Sequence, residues 1–501
     1  MEPRVSDLQA LFTPRWFRQQ ARRSRLPLQR LLYELLKQAV QAGQLLPGSV
    51  LPATRELARD LGVSRNGVIH AYGQLTAEGY AQATRQGTVV VAWRALQGPG
   101  PENAGVPGHA DDGVRALPGL SRRVAQANRR RTPQDDLLPF MPGIPALDAF
   151  PVKTWHRLLE QTRRHADSGD LSYRHAVGEP ELRQAIATYL RAARGVRCTA
   201  DQVVVTDGTQ QSLELCARLL ADEGDLAWIE HPGYGGARVA FQQAGLRLQA
   251  VTVDAEGMAP PEAWWQARPP RLIYTTPSHQ YPLGSVLSLP RRLALIEHAR
   301  QHGAWILEDD YDSEFRHDGP PLAAMQGQVP DAPVVYLGTF SKTMFPALRL
   351  GFMVIPAALA ERTVGVLGEL VRRGHAIEQR ALAAFINEGH FTRHLRRMRR
   401  LYRERQLALR EAIELHWPWP VQVLGGQAGM HLVLPLPADC PDQVLAAQAM
   451  ASGLSPRPLS VYGTGGIDGF HGLVIGYANT PQADMAGHVC TLAALAAKCR
   501  A

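Results

Sequence analysis

The sequence predicts an α/β protein in two parts: a small helical head with a β-hairpin, then a large body with a mostly parallel sheet and a smaller C-terminal α+β subdomain. Three observations predict it. Between residues 26 and 92, apolar residues recur at helical spacing and then give way to two short strand-like runs. A Gly- and Pro-rich stretch follows, GPGPENAGVPGHADDGVRALPGL. From about residue 138 onward, short unbroken apolar runs alternate with helical patterns, as in strands buried on both faces.

In the head, Leu28, Leu31, Leu32, Leu35, Leu36, Ala39 and Val40 form one helical stripe. Gly43 and Pro47-Gly48 stop and turn the chain. A short helix is expected over Thr54–Leu61, with Thr54 as N-cap, because a hydroxyl there accepts from an orphaned backbone N–H. Gly62-Val63 makes a turn and Ser64 caps the next helix, whose inner face is Val68, Ala71, Tyr72 and Leu75. Strands are expected over Tyr80–Thr84 and Thr88–Ala92, joined by Arg85-Gln86-Gly87. Three helices followed by a hairpin is the winged helix-turn-helix pattern, expected over 20–93.

Residues 94–137 read as a linker, Gly/Pro-rich and then Arg-rich, that cannot bury a core. Its clusters Arg122-Arg123 and Arg129-Arg130-Arg131 are either solvated charge or auxiliary contacts to a polyanion. In the body, 138–501, strands are expected over Gln202–Thr206, Leu226–Ile229, Leu272–Thr275, Ala304–Leu307, Val334–Leu337 and Gly351–Ile355. Helices such as Gln210–Leu220 and Arg291–Gln301 lie between them, and strands return near Gly429–Leu434 and Leu473–Tyr477.

Composition narrows the function. No apolar run is long enough to span a membrane, and the N-terminus MEPRVSDLQALFTPRW has no signal-peptide core. Five scattered cysteines without a CxxC suit a reducing cytoplasm and argue against a zinc site. The formal net charge is +8, and all of it sits at one end: residues 1–137 hold 19 Lys+Arg against 11 Asp+Glu, and the rest hold 35 of each. Such segregation suggests a polyanion-binding module on a neutral body. Of 54 basic residues only Lys37, Lys153, Lys342 and Lys498 are lysines, so a lysine inside a rich motif needs a chemical reason.

The second helix of a helix-turn-helix enters the major groove of double-stranded DNA. Here it begins Ser64-Arg65-Asn66-Gly67. Arg65 suits guanine and Asn66 adenine, while Arg55, Ser64 and His70 are candidates for phosphate contacts. Arg85 and Gln86 at the wing tip are candidates for the minor groove. The phrases LPGSVLPATRELARDLGVSRNGVIHAYGQLTAEGY and RQGTVVVA resemble the GntR family of bacterial regulators. Gly67 departs from that family's usual residue, which reads here as one base contact fewer.

The body's central motif is Ser341-Lys342-Thr343-Met344-Phe345-Pro346-Ala347-Leu348-Arg349. A lysine amine forms a Schiff base with an aldehyde cofactor, whereas arginine stays protonated. Arg349 and Ser341 suit a phosphate. So do the backbone N–H groups of Thr209 and Gln210 in TDGTQQ, at a helix N-terminus. With HPGYGGAR, TPSHQYPLG and EDDYDSEF, this order of motifs resembles the fold-type I aminotransferases. The resemblance implies pyridoxal 5′-phosphate on Lys342, with Asp309 paired to the pyridine nitrogen in preference to Asp310. It implies Tyr234 stacked on the ring and Tyr311 and His279 at the phenolic oxygen. A core aromatic and a structural loop histidine are the alternatives for Tyr234 and His279. That family's site lies at a homodimer interface, and Tyr173 in SYRHAVGEP matches the tyrosine that reaches the partner's phosphate.

Taken together, the chain resembles the MocR subfamily of GntR regulators, including its PdxR-like members, which regulate vitamin B6 synthesis. The resemblance implies a cytoplasmic, homodimeric regulator. No arginine occurs from Gly463 onward except Arg500, so the late carboxylate clamp of aminotransferases is missing from its usual stretch, with Arg457 or an arginine elsewhere as the alternative clamp. This favours pyridoxal 5′-phosphate itself as effector. An amino compound sensed at the same aldehyde is one alternative, and a working aminotransferase is another.

Overall fold

The computed structural model describes residues 12–24, 26–85, 87–91, 135, 137–172, 174–317, 319–371, 374–463 and 470–499. The chain separates into two compact units, 1–115 and 116–501. Almost all of the expected linker lies outside the described residues, as do Gln86 and Tyr173.

The first unit opens with a helix that the sequence reading did not anticipate, α1 (Pro14–Arg23), whose Phe17 enters the core. Then come α2 (Leu28–Gln41), α3 (Thr54–Leu61), α4 (Arg65–Ala77) and the hairpin β1 (Ala81–Thr84) and β2 (Gly87–Val90). Leu31, Leu32, Leu36, Leu57, Leu61, Val68, Ala71 and Leu75 pack into one core. Each such leucine contributes about 1.5–3 kcal/mol by leaving water. Ser64 caps α4 as expected, its Oγ accepting from Gly67 N at 3.1 Å.

Three expectations here need correction. Thr54 is the first residue of α3, not its cap; Ala53 holds the cap position and no side chain caps the helix. Glu56, the acidic residue of the first turn, complements the positive helix end instead. The hairpin ladder runs from Ala81↔Val90 to Thr84↔Gly87, so Tyr80 and Val91 fall just beyond it. Gly87, at φ +127, belongs to the strand rather than the turn. Gly67 is buried, and a Cβ there would lie 3.2 Å from Ser64 Oγ and 3.7 Å from Gln29 Cβ of α2. A side chain built there would start toward the protein.

In the second unit, α5 (Val152–Arg164) and α6 (Pro180–Arg194) precede an eight-stranded sheet. The strands are β3 (Val203–Thr206), β4 (Leu226–His231), β5 (Arg247–Asp254), β6 (Gly257–Met258), β7 (Leu272–Thr275), β8 (Trp305–Asp310), β9 (Val334–Thr339) and β10 (Gly351–Val354). Their spatial order is β3-β10-β9-β8-β7-β4-β5-β6. From β9 to β5 all pairs are parallel; β10 lies antiparallel between β9 and β3, and β6 closes the other edge antiparallel.

Both faces of the sheet are buried, which explains the unbroken apolar runs. Ala227, Ile229, Leu272, Leu307 and Leu337 face α7 (Thr209–Leu220) and α8 (Gly235–Gln243). Their neighbours Trp228, Ile273 and Ile306 face α9 (Leu289–His302) on the other side. After the one-turn helix α10 (Phe340–Thr343) and β10, the chain becomes helical in α11 (Ala376–Asn387) and the 27-residue α12 (His390–His416). It ends in a small antiparallel sheet, β11 (His431–Pro435), β12 (Arg457–Pro458) and β13 (Gly472–Gly476) in the order β11-β13-β12, followed by α13 (Met485–Cys499). No helix among the described residues is long and apolar enough to cross a membrane.

Candidate functional site

The carboxyl ends of adjacent strands converge on a cavity of about 310 Å³. After β9, the Thr339 hydroxyl accepts from Ser341 N at 3.2 Å and starts α10, which presents Lys342. Lys342 Nζ donates to Gly143 O at 2.7 Å. Gly143 is at φ +79, and a Cβ there would come within 3.0 Å of that nitrogen, so a glycine lets the amine approach the backbone.

At the opposite end of the cavity stand Gly208, Thr209, Gln210, Ser341 and Arg349. Gly208 precedes α7 at φ +104 and no side chain caps the helix, so its first N–H groups are open to an anion. Arg349 adopts φ +51, an unusual conformation for a side-chain-bearing residue and one concentrated at functional positions. Its guanidinium Nη1 would lie 3.7 Å from a Cβ built on Gly208, which places it beside the helix tip. A helix N-terminus, a hydroxyl and a guanidinium together make a phosphate-sized anion site.

The floor is acidic. Asp309, at the end of β8, lines the cavity; its Oδ2 accepts from Tyr274 Oη at 2.7 Å, and its Oδ1 is buried with no hydrogen-bond partner among the described residues. Burial, reinforced by the carboxylates of Asp310, Glu230 and Asp312, pushes its pKa up to about 7, with the Tyr274 bond opposing. Asp310 has a different role. It points away from the lining, takes Arg194 Nε and Nη2 at 2.8 and 2.5 Å and Tyr336 Oη at 2.6 Å, and has no place in the cavity wall. Burial raises its pKa, but Arg194 and these hydrogen bonds hold it below the usual carboxylate range. The two adjacent aspartates are thus separated by strand alternation: one serves the cavity, the other a buried ion pair.

Tyr234 and Tyr311 line the cavity, and burial raises both phenols, Tyr234 to about 12. His279 is not in the lining. It stands behind it, with Tyr311 Oη and Asp312 Oδ1 each 3.0 Å from its Nδ1. In the first unit, Arg55, Ser64, Arg65, Asn66, His70 and Arg85 are all exposed.

Several residues escaped the sequence reading. Tyr274 holds Asp309; Tyr281, Asp312 and His431 complete the wall near Lys342. His431 Nε2–H donates to Pro282 O at 2.9 Å, and burial drops its pKa to about 3, so the ring is neutral. Tyr281 and Asp312 carried a signal, as parts of TPSHQYPLG and EDDYDSEF. On α4, Ile69 is 46% exposed and lies on the same face as Arg65, Asn66 and His70. Its signal was its omission from the inner stripe.

Comparison with known proteins agrees with this division. Residues 28–91 match the family of bacterial regulatory proteins of the gntR type, and residues 143–459 match aminotransferase class I and II. The chain is 42% identical over 440 residues to the probable rhizopine catabolism regulatory protein MocR of Rhizobium meliloti, covering 87% of each. It is 31% identical to the pyridoxine biosynthesis regulator PdxR of Corynebacterium glutamicum, covering 89% of this chain and 91% of that one. Among solved structures, the α-aminoadipate aminotransferase LysN of Thermus thermophilus aligns with 75% of this chain and 97% of its own, at TM-score 0.67 and 27% identity. The kynurenine aminotransferase of Pyrococcus horikoshii covers 76% of this chain and 95% of its own, at TM-score 0.66 and 22% identity, a likeness of fold.

Proposed function

Since this chain belongs to the MocR group of GntR-type transcription regulators, with a helix-turn-helix head and an aminotransferase-like body, we propose that the body holds pyridoxal 5′-phosphate on Lys342 and that occupancy of this site, not turnover, sets how the head engages DNA. One observation carries the reading. A buried carboxylate oxygen of Asp309 without a partner faces the same cavity as a lysine amine and an anion site. Leaving such an oxygen unpaired is costly, and a protonated ring nitrogen would satisfy it.

The residues divide the work. Thr209, Gln210, Ser341 and Arg349 take the phosphate, joined in a homodimer by Tyr173 of the partner subunit. Asp309, steadied by Tyr274, pairs with the ring nitrogen. Tyr234 covers a ring face. Tyr311 takes the phenolic oxygen, its hydroxyl held by His279, whose ring is in turn held by Asp312. When bound, the cofactor supplies an aldehyde that condenses with amines. On the DNA side, Arg65 and Asn66 read bases, with Ile69 offering an apolar contact, and Arg55, Ser64, His70 and Arg85 hold phosphates. The two sites communicate only through a difference in cofactor affinity between two arrangements of the protein.

The first reading takes pyridoxal 5′-phosphate itself as effector, and the PdxR relative's name supports it. The second, control of a catabolic gene set by an amino compound, draws support from the higher identity to the rhizopine catabolism regulator. The test is absorbance and borohydride trapping. Wild-type protein incubated with the cofactor should gain a visible or near-ultraviolet band and be labelled at Lys342, and Lys342→Ala should gain neither while keeping DNA binding. Label elsewhere, or a full cofactor response in Lys342→Ala, would overturn the proposal. A spectral shift on adding amines selects the second reading.

A further inference from the structure

The body as a whole is electrically neutral, yet one helix gathers arginines on a single face. Along the first half of α12, Arg393, Arg396, Arg397, Arg400 and Arg403 are exposed, while Phe391, His394, Leu395, Met398 and Tyr402 turn inward. The exposed set follows the helical repeat, so it forms one stripe from Arg393 to Arg403, about 15 Å over ten steps of roughly 1.5 Å.

Nothing in helix energetics accounts for this stripe. Like charges three and four residues apart destabilise a helix, and the stripe contains several such pairs. Arg393 also lies near the positive end of the helix dipole, and the first turn carries no acidic residue. The nearby carboxylates are few and engaged: Glu404 reaches Arg400 at 3.9 Å, Asp148 reaches Arg405 at 3.1 Å, and Glu388 reaches Arg157 at 3.8 Å and His390 at 3.1 Å. Among the described residues, Arg396 and Arg397 have no ion-pair partner. Two shallow grooves meet here, one walled by Arg393 and the other by Arg400, with Arg397 lining both. The surface is concave and cationic, and Arg396 and Arg397 lie in it without an ion-pair partner among the described residues.

Its chemistry selects a phosphate polymer. Guanidinium forks suit phosphate oxygens, and the stripe contains no lysine. Duplex DNA carries a charge about every 1.7 Å of its axis, so a straight 15 Å edge meets several phosphates. DNA is also the polyanion that the head of this chain already brings to the molecule at high effective concentration. We propose that this arginine stripe on α12 is a second, sequence-independent DNA-backbone contact, carried by the body rather than by the head.

Counterion release provides the test. The full chain would be titrated with a fluorescent duplex of about 40 base pairs, roughly four turns, over a range of salt concentrations. The triple variant R396A/R397A/R400A should bind with a log K against log salt slope shallower by about two to three, at about 0.9 per lost phosphate contact. The lysine triple R396K/R397K/R400K should restore most of the slope. Arg218→Ala with Arg362→Ala, exposed arginines elsewhere on the body, should leave it unchanged. All these positions are exposed, and an unaltered thermal melt shows that each variant is folded. An unchanged slope in the alanine triple, as expected if the stripe serves an acidic protein, overturns the proposal. So does an equal loss in the control pair.

Discussion

Asp309→Asn gives the most demanding prediction, because its sign depends on burial rather than on the ligand. Burial and neighbouring carboxylates raise Asp309 from an ordinary 3.8 to about 7. Between these two values the folded protein binds a proton that the unfolded chain does not. Stability from this group is therefore full below pH 4 and is lost as pH rises through 7. A rise of about three pH units corresponds to about 4 kcal/mol at roughly 1.4 kcal/mol each. Asparagine cannot ionise, and its amide oxygen can still accept from Tyr274. Urea unfolding of cofactor-free wild type and Asp309→Asn at intervals from pH 4 to 8 should show the wild-type curve falling relative to the variant, by up to about 4 kcal/mol. Glu308 and Glu314, both also raised to about 7 by burial, contribute to both curves and cancel in the difference. Adding pyridoxal 5′-phosphate should abolish the fall of wild type relative to the variant, because a ring cation holds Asp309 ionised. A wild-type–variant difference that stays constant across this range would show that Asp309 carries no buried, cavity-facing charge, and the reasoning would fail.

Two further substitutions test local structure. At Gly178, φ is +101 and an added Cβ would fall 2.4 Å from Val205 Cγ2 in β3; Gly178→Ala should destabilise the large unit by about 2–5 kcal/mol, read as a lower urea midpoint. On α4, Ser64→Ala should cost the head about 1 kcal/mol through its lost cap, whereas Arg65→Ala should leave the melt unchanged and weaken binding to a preferred site by about 1–3 kcal/mol; a stability loss at Arg65 would mean that it packs rather than reads.

What the sequence disclosed depended on how local the physics was. Lys342 stood out because lysine is scarce and only an amine suits the chemistry. Strands such as Leu272–Thr275 were legible because two buried faces leave an unbroken apolar run. Arg247–Asp254 was illegible because it alternates polar and apolar residues near the sheet edge and so lacks the unbroken run of a strand buried on both faces. Asp309 and Asp310 could be ranked by motif, but only the strand's alternation shows which one meets Arg194. Gly143 and His431 were illegible for another reason: each reaches the cavity from an element distant in sequence from the Lys342 motif. Gly67 was read by residue type when its direction, inward against Gln29, was what mattered.

The bond from Lys342 to the Gly143 carbonyl ties the reactive nitrogen to the stretch of body that first follows the connection to the head. That stretch is itself stitched into the C-terminal sheet, since Gly476 N donates to Phe140 O at 2.9 Å and Asn479 Nδ2 to Leu138 O at 2.8 Å. Whatever captures the lysine nitrogen must compete with a backbone carbonyl for it. Chemistry at a single atom thereby bears on the backbone that packs against the C-terminal sheet.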